Sequence, residues 1–142
     1  ILTHLLESLL KFQDEETGLW HQILDRGGDT GNYLEASASC MFVYGLAKGI
    51  RKRYLPFDFL KNIYKAYAGI LNYLIEVDEN DMVHLTQICS VAGLGGKQQR
   101  DGSYQYYVNE PIVANDMKGV GAFLLSSIEV ERLSKSLAHD SV

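Results

Sequence analysis

Long apolar runs are missing from this chain. No stretch reaches the ~18 apolar residues that a membrane-spanning helix needs. Clustered positive charge is also missing: beyond Arg51-Lys52-Arg53 there is no Lys/Arg stripe, and the net charge is −5. That balance excludes the electrostatic footprint of a nucleic-acid binder, and the single basic run suits a helix C-terminus, where cations favour the dipole. Cysteine is scarce. The two, Cys40 and Cys89, lie in apolar segments outside any CxxC or Cys/His spacing, and they read as buried free thiols. The four histidines, His4, His21, His84 and His139, are scattered without ligand spacing, so no metal and no cofactor is expected. A secretory leader is not seen either, which fits a cytoplasmic protein. The first residue is Ile1, already inside an amphipathic helical pattern, and the chain reads as a fragment of a longer protein.

What remains is globular. The 142 residues are 46% hydrophobic and 22% charged, enough for one domain over residues 1–142 with no internal boundary. The densest stretch is residues 17–40. It holds the single Trp, Trp20, with Gly27, Gly28 and Gly31 and the polar side chains His21, Asp25, Arg26 and Asp29. A glycine-rich loop of this kind, feeding a helix, suits a concave site at a helix N-terminus.

Apolar spacing predicts a first helix over residues 1–12, through Leu5, Leu6, Leu9 and Leu10. Residues 14–18 form a polar turn, and 19–24 read as a short strand. A second helix is expected over 32–53, with Asn32 as N-cap and Glu35 closing a capping box at the third helical position. Its residues Ala36, Ser37, Ala38, Ser39, Cys40, Gly45, Ala47 and Gly49 are small on nearly every face. Such a helix is crowded from several sides and belongs inside an assembly. Pro56 breaks it. A third, amphipathic outer helix is expected over 58–76. Residues 82–91 are β-like, 93–102 form a long loop, and Tyr104, Tyr106 and Tyr107 sit in an extended segment. A last helix opens at Asn115-Asp116 and runs to about Leu137. The result is all-α with short β-like excursions, inner helices alternating with outer ones in a toroid.

Several of these segments carry a family likeness. Thr17-Gly18-Leu19-Trp20 is followed by Gly31-Asn32-Tyr33-Leu34-Glu35-Ala36-Ser37-Ala38-Ser39, then Gly93-Leu94-Gly95, Arg100-Asp101-Gly102-Ser103-Tyr104, Tyr106-Tyr107-Val108-Asn109-Glu110-Pro111, and Asn115-Asp116-Met117-Lys118-Gly119-Val120-Gly121-Ala122-Phe123. In this order they resemble the unsaturated rhamnogalacturonyl hydrolases, glycoside hydrolase family 105. The resemblance implies part of an (α/α)6 barrel, a six-hairpin toroid. It also implies removal of unsaturated galacturonic acid from pectin-derived oligosaccharides by hydration of the ring double bond, with an Asp as general acid and base. That Asp belongs to the N-terminal half of the family's barrel, before the part matched here. The chain therefore reads as the C-terminal portion of one barrel domain, with no catalytic residue of its own. Its expected partners are an unsaturated oligosaccharide and either the missing N-terminal half or a second copy. The rival reading is a non-catalytic helical module for carbohydrate binding or interaction.

Six residues are the substrate-binding candidates: Trp20, His21, Asn32, Glu35, Asn115 and Lys118. Trp20 offers an aromatic face to a sugar or anchors a core. His21 beside it binds a polar group or braces the loop. Asn32 and Glu35 face the sugar or cap the helix. Asn115 is a sugar contact or a routine N-cap. Lys118 opposes the helix dipole, which an anionic ligand or a nearby carboxylate would relieve. The two presumed inner helices are expected to turn their N-termini toward a uronate. The Gly93–Lys97 run is a loop turn and not a phosphate loop, because Gln98 stands where Ser or Thr is needed.

Overall fold

The computed structural model describes residues 1–97 and 99–139. Gln98 and the last three residues of the expected 1–142 domain lie outside the described residues. Among the described residues five α-helices dominate: α1 Leu2–Leu10, α2 Ala36–Arg51, α3 Leu60–Gly69, α4 Tyr104–Asn109 and α5 Met117–His139. Four short strands among the same residues form two antiparallel pairs. β1 (Ile75–Val77) pairs with β2 (Val83–Leu85), in the register Glu76 to His84. β3 (Ile88–Cys89) pairs with β4 (Ile112–Val113), in the register Cys89 to Ile112.

The inner helix is where the small residues put it. Ala36, Ser39, Cys40, Val43, Leu46, Ala47 and Ile50 of α2 have no exposed surface, whereas α3 buries Ile63, Ala66 and Gly69 on one face. Helix α5 packs along α2, and the two run in the same direction. Their N-terminal ends meet through β3, and an ion pair between Arg51 and Glu129 joins them farther along. Glu129 is buried, so its pairing offsets a desolvation that an isolated carboxylate would not survive cheaply. Burial against this helix pair pushes the Cys40 thiol up to about 12, and both cysteines are free and buried. The toroid segment is therefore all-α, with α2 inside and α3 outside. Among the described residues no helix is long and apolar enough to cross a membrane.

Several local expectations give way. Residues 19–24 form no strand. One bridge joins His21 to Leu34, and Leu24–Arg26 is a 3-10 turn. The third helix stops short of 76. It begins after a 3-10 turn at Phe57–Phe59, loosens into a π-helix over Ile70–Leu74, and extends into β1. Pairing with β2 wins there over continued helix. Tyr104–Asn109 is helical rather than extended, because Ser103 caps it, its hydroxyl accepting the Tyr106 N–H at 3.1 Å.

Candidate functional site

The N-terminal ends of α2 and α5 are gathered at one edge of the molecule with the loops that precede them. Glu35 is the N-cap of α2 and not its third residue. Asn32 lies outside the helix, so the expected capping box does not form. The Glu35 carboxylate is 2% exposed. It accepts the N–H of Ala38 at 2.6 Å and the N–H of Cys89 at 3.0 Å, and both its oxygens lie within 3.0 Å of the Ser37 hydroxyl. The Ala36 N–H goes to the carbonyl of Gln87 at 2.9 Å. The partial positive charge of this helix end is thus met by the chain's own buried anion. That overturns the expectation of an α2 N-terminus bared to a uronate, and Glu35, buried and holding three donors, offers no surface to a sugar.

Helix α5 opens in the same way. The Asp116 carboxylate accepts the Lys118 N–H at 3.0 Å and the Lys118 ammonium at 3.0 Å. The bond from the ammonium is the main reason its carboxyl sits below the usual range. Lys118 Nζ also donates to the Ser90 carbonyl at 3.1 Å, which ties α5 to β3. The cation misplaced for the dipole is therefore relieved by a neighbouring carboxylate, while its side chain stays 42% exposed. Asn115 adopts φ 58°, a conformation Asn tolerates better than most residues. Its Oδ1 accepts the Leu85 N–H at 3.0 Å, which fixes the amide orientation. Its NH2 then faces His84 Nδ1 at 2.8 Å. That ring nitrogen must accept, so the His84 proton is on Nε2, 3.1 Å from Asp78 Oδ2. The Met82 N–H first, and His84 second, hold the Asp78 carboxyl below its ordinary value.

In the first loop, Trp20 has no exposed surface. Its indole N–H donates to the Leu9 carbonyl at 2.8 Å, and its ring meets Phe42 edge-on at 5.2 Å. A ring covered on all sides stacks on no sugar, so of its two readings the core anchor is the one realised. His21 is half-buried beside Gly27, along a shallow surface with Gln13, Asp14 and Asp25. Asn32 is consumed by its own loop. It accepts the Ile23 N–H at 3.1 Å and donates to the carbonyls of Ile23 at 2.9 Å and Arg26 at 2.8 Å. Of the six candidates, then, Asn115 and Lys118 are exposed at this edge and His21 is partly so, the Asn32, Glu35 and Asn115 side chains bond the loops and helix ends together, and Trp20 lies beneath them.

A polar group under α4 was not legible in the sequence. Glu110 is 3.9 Å from Arg100 Nε, and both are largely buried. The Tyr106 hydroxyl accepts the Gly93 N–H at 3.1 Å and is raised by desolvation and by its bond to Glu110. The Tyr33 hydroxyl is buried beside Cys89, and that burial above all holds it protonated. Ser103 as a cap was the one signal in the sequence that could have placed α4. Among the described residues no group of three or more His, Cys, Asp or Glu gathers to hold a metal.

Comparison with known proteins places this architecture. A glycoside hydrolase of family 105 from C. acetobutylicum ATCC 824 superposes with a TM-score of 0.87 at 50% identity, over 89% of this chain and 35% of that one. A possible family 105 member from Klebsiella pneumoniae superposes with a TM-score of 0.67 at 30% identity, over 92% of this chain and 29% of that one. A protein of Agrobacterium fabrum, Atu3128, is 42% identical over 120 residues, covering 80% of this chain and 52% of that protein. A 24.9 kDa protein in the picA locus of Rhizobium radiobacter matches equally well. The chain spans about half the length of these relatives and about a third of the solved structures. With the model of Glycosyl Hydrolase Family 88 matching residues 1–134, this chain belongs to that glycoside hydrolase family, and its fold is a segment of the (α/α)6 barrel of family 105.

Proposed function

We propose that this chain is the C-terminal part of a hydrolase that removes unsaturated galacturonic acid from rhamnogalacturonan fragments of pectin. The reaction hydrates the ring double bond. It needs a proton delivered to carbon and a water held on the correct face. A placed acid–base group contributes about a hundred- to ten-thousandfold to such a step, and positioning adds to it. In this reading the acid lies outside this chain, and the chain contributes one wall of the pocket. The observation that supports the reading is the commitment of the two carboxylates at the starts of α2 and α5. Glu35 is buried and holds three donors of its own chain, and Asp116 is held by Lys118. Of the six candidates, His21, Asn115 and Lys118 keep surface to meet an anionic or hydroxylated substrate.

The rest of the barrel packs, in this reading, on the outer face of α5. Met117, Leu124, Leu125 and Ile128 share that face and are each about half exposed or more. A chimera tests the reading. This chain replaces the matching third of the C. acetobutylicum family 105 hydrolase, and loss of unsaturated-uronate absorbance is followed. The chimera is expected to turn over an unsaturated disaccharide, and this chain alone is not. Turnover by the chain alone, abolished by Glu110→Gln or Asp116→Asn, would place the acid here and sink the reading. A folded chimera that binds the disaccharide without turnover would favour the non-catalytic module instead.

A further inference from the structure

On one flank of the wall, the loop before α2 and the tyrosine face of α4 enclose a cleft of about 510 Å3, a size that holds a small-molecule ligand. Gln22, Ile23, Asp25, Arg26, Tyr104 and Tyr107 line it. Both sides are preorganised. Asn32 fixes the loop with its three hydrogen bonds to Ile23 and Arg26. Ser103 caps α4, and the Tyr104 hydroxyl donates to the Thr30 carbonyl at 3.1 Å. Tyr104 and Tyr107 are three residues apart on α4, so their rings share one face. Tyr106 buttresses Tyr107 edge-on at 5.0 Å.

The charges select the ligand. The Arg26 guanidinium lies 4.8 Å from the centre of the Tyr104 ring, and its Nε and Nη2 both go to Asp29 Oδ2. Its charge is spent within the loop. Asp25 is exposed at the rim, and among the described residues nothing pairs with its carboxylate. The free charge of the cleft is therefore negative. A ligand carboxylate meets repulsion there. Adjacent hydroxyls of an uncharged sugar can instead donate to Asp25 while the sugar's C–H face lies on the Tyr107 ring.

We propose that this cleft binds a neutral pyranose with adjacent hydroxyl groups, in preference to a uronate. The proposal concerns binding alone and does not depend on the hydration chemistry, so it stands or falls separately. The test titrates the 142-residue chain with methyl galactopyranoside, methyl rhamnopyranoside and galacturonic acid, following backbone amide shifts of the loop and α4 at low salt. Saturable shifts with a neutral glycoside are expected, at least about fivefold tighter than with galacturonic acid, the scale of one repulsion near 4 Å in water. Tyr107→Ala should weaken neutral-sugar binding about five- to tenfold while Tyr107→Phe retains it, the size of one aromatic contact. Asp25→Asn, an exposed change that spares the fold, should narrow the gap between neutral and acidic sugar. Tighter binding of galacturonic acid, no saturable binding of either neutral glycoside, or full binding by Tyr107→Ala would each overturn the proposal.

Discussion

The carboxylate of Glu35 accepts the backbone N–H of Cys89 at 3.0 Å, across 54 positions of sequence. One buried side chain thus caps α2 and pins β3 over the helix end. Through β3 it also bears on the start of α5, because Ser90, next to β3, holds Lys118, while Leu85 of β2 holds Asn115. The wall is organised around an anion that belongs to the protein.

Glu35→Gln is expected to destabilise the chain. A glutamine is equivalent at the third position of a capping box, but Glu35 is the cap itself, and both its oxygens face donors. The glutamine NH2 must point at one of those N–H groups and leave it unpaired in a buried place, a cost of about 1–3 kcal/mol. Urea unfolding should show a lower midpoint with an unchanged slope. An unaltered midpoint would mean that the carboxylate is not the organising group.

Gly69→Ala should also destabilise, against helix propensity. Gly69 has helical φ and ψ, where alanine ordinarily stabilises by about 1 kcal/mol. A Cβ there would run into the Thr17 carbonyl and come within 3.1 Å of Leu19 Cγ. The loop that carries Trp20 crosses α3 at this point, and overpacking such a crossing costs about 1–3 kcal/mol. A thermal melt shifted upward would refute the close approach.

Stability should fall in acid partly through Asp14. Burial raises its carboxyl, but the Thr17 N–H and hydroxyl, both at 2.7 Å, with His21 and the Glu16 N–H, outweigh that and hold it below the usual carboxylate range. A carboxyl lower in the folded state stabilises above its unfolded value, and that stability is lost as pH falls through the folded one. Asp14→Asn should therefore be less stable at pH 7 and lose less on going to about pH 3. Urea midpoints at the two pH values measure the difference; parallel losses in both proteins would remove Asp14 from the account.

The 142-residue chain by itself should associate. Leu124 and Leu125 are 55% and 50% exposed on one face of α5, next to Met117 and Ile128. A contiguous apolar face of this kind marks a contact surface. Sedimentation velocity at micromolar concentration is expected to show species larger than the monomer, and Leu125→Lys with Ile128→Lys should return it to monomer. A wild-type chain that sediments as a compact monomer would contradict this.

The sequence alone determined the helical class, the inner place of α2, the start of α5 and the family. Each of these is written in neighbouring residues. Small side chains crowd α2 wherever it sits, the apolar period of α5 needs no partner to be seen, and the quoted motifs are contiguous. Only the tertiary structure decided where the candidate side chains sit and which partners they bond. Asn32 and Glu35 both fit a cap by local pattern, and the choice fell to Glu35 because the Cys89 N–H returns from far along the chain to meet it. Trp20 was equally a platform or an anchor until Leu9 and Phe42 closed over it. The end of α3 was decided by strand pairing with residues not yet reached in the chain. Backbone preference is a property of a few adjacent residues, whereas burial and the partner of a buried polar group depend on which distant segment arrives.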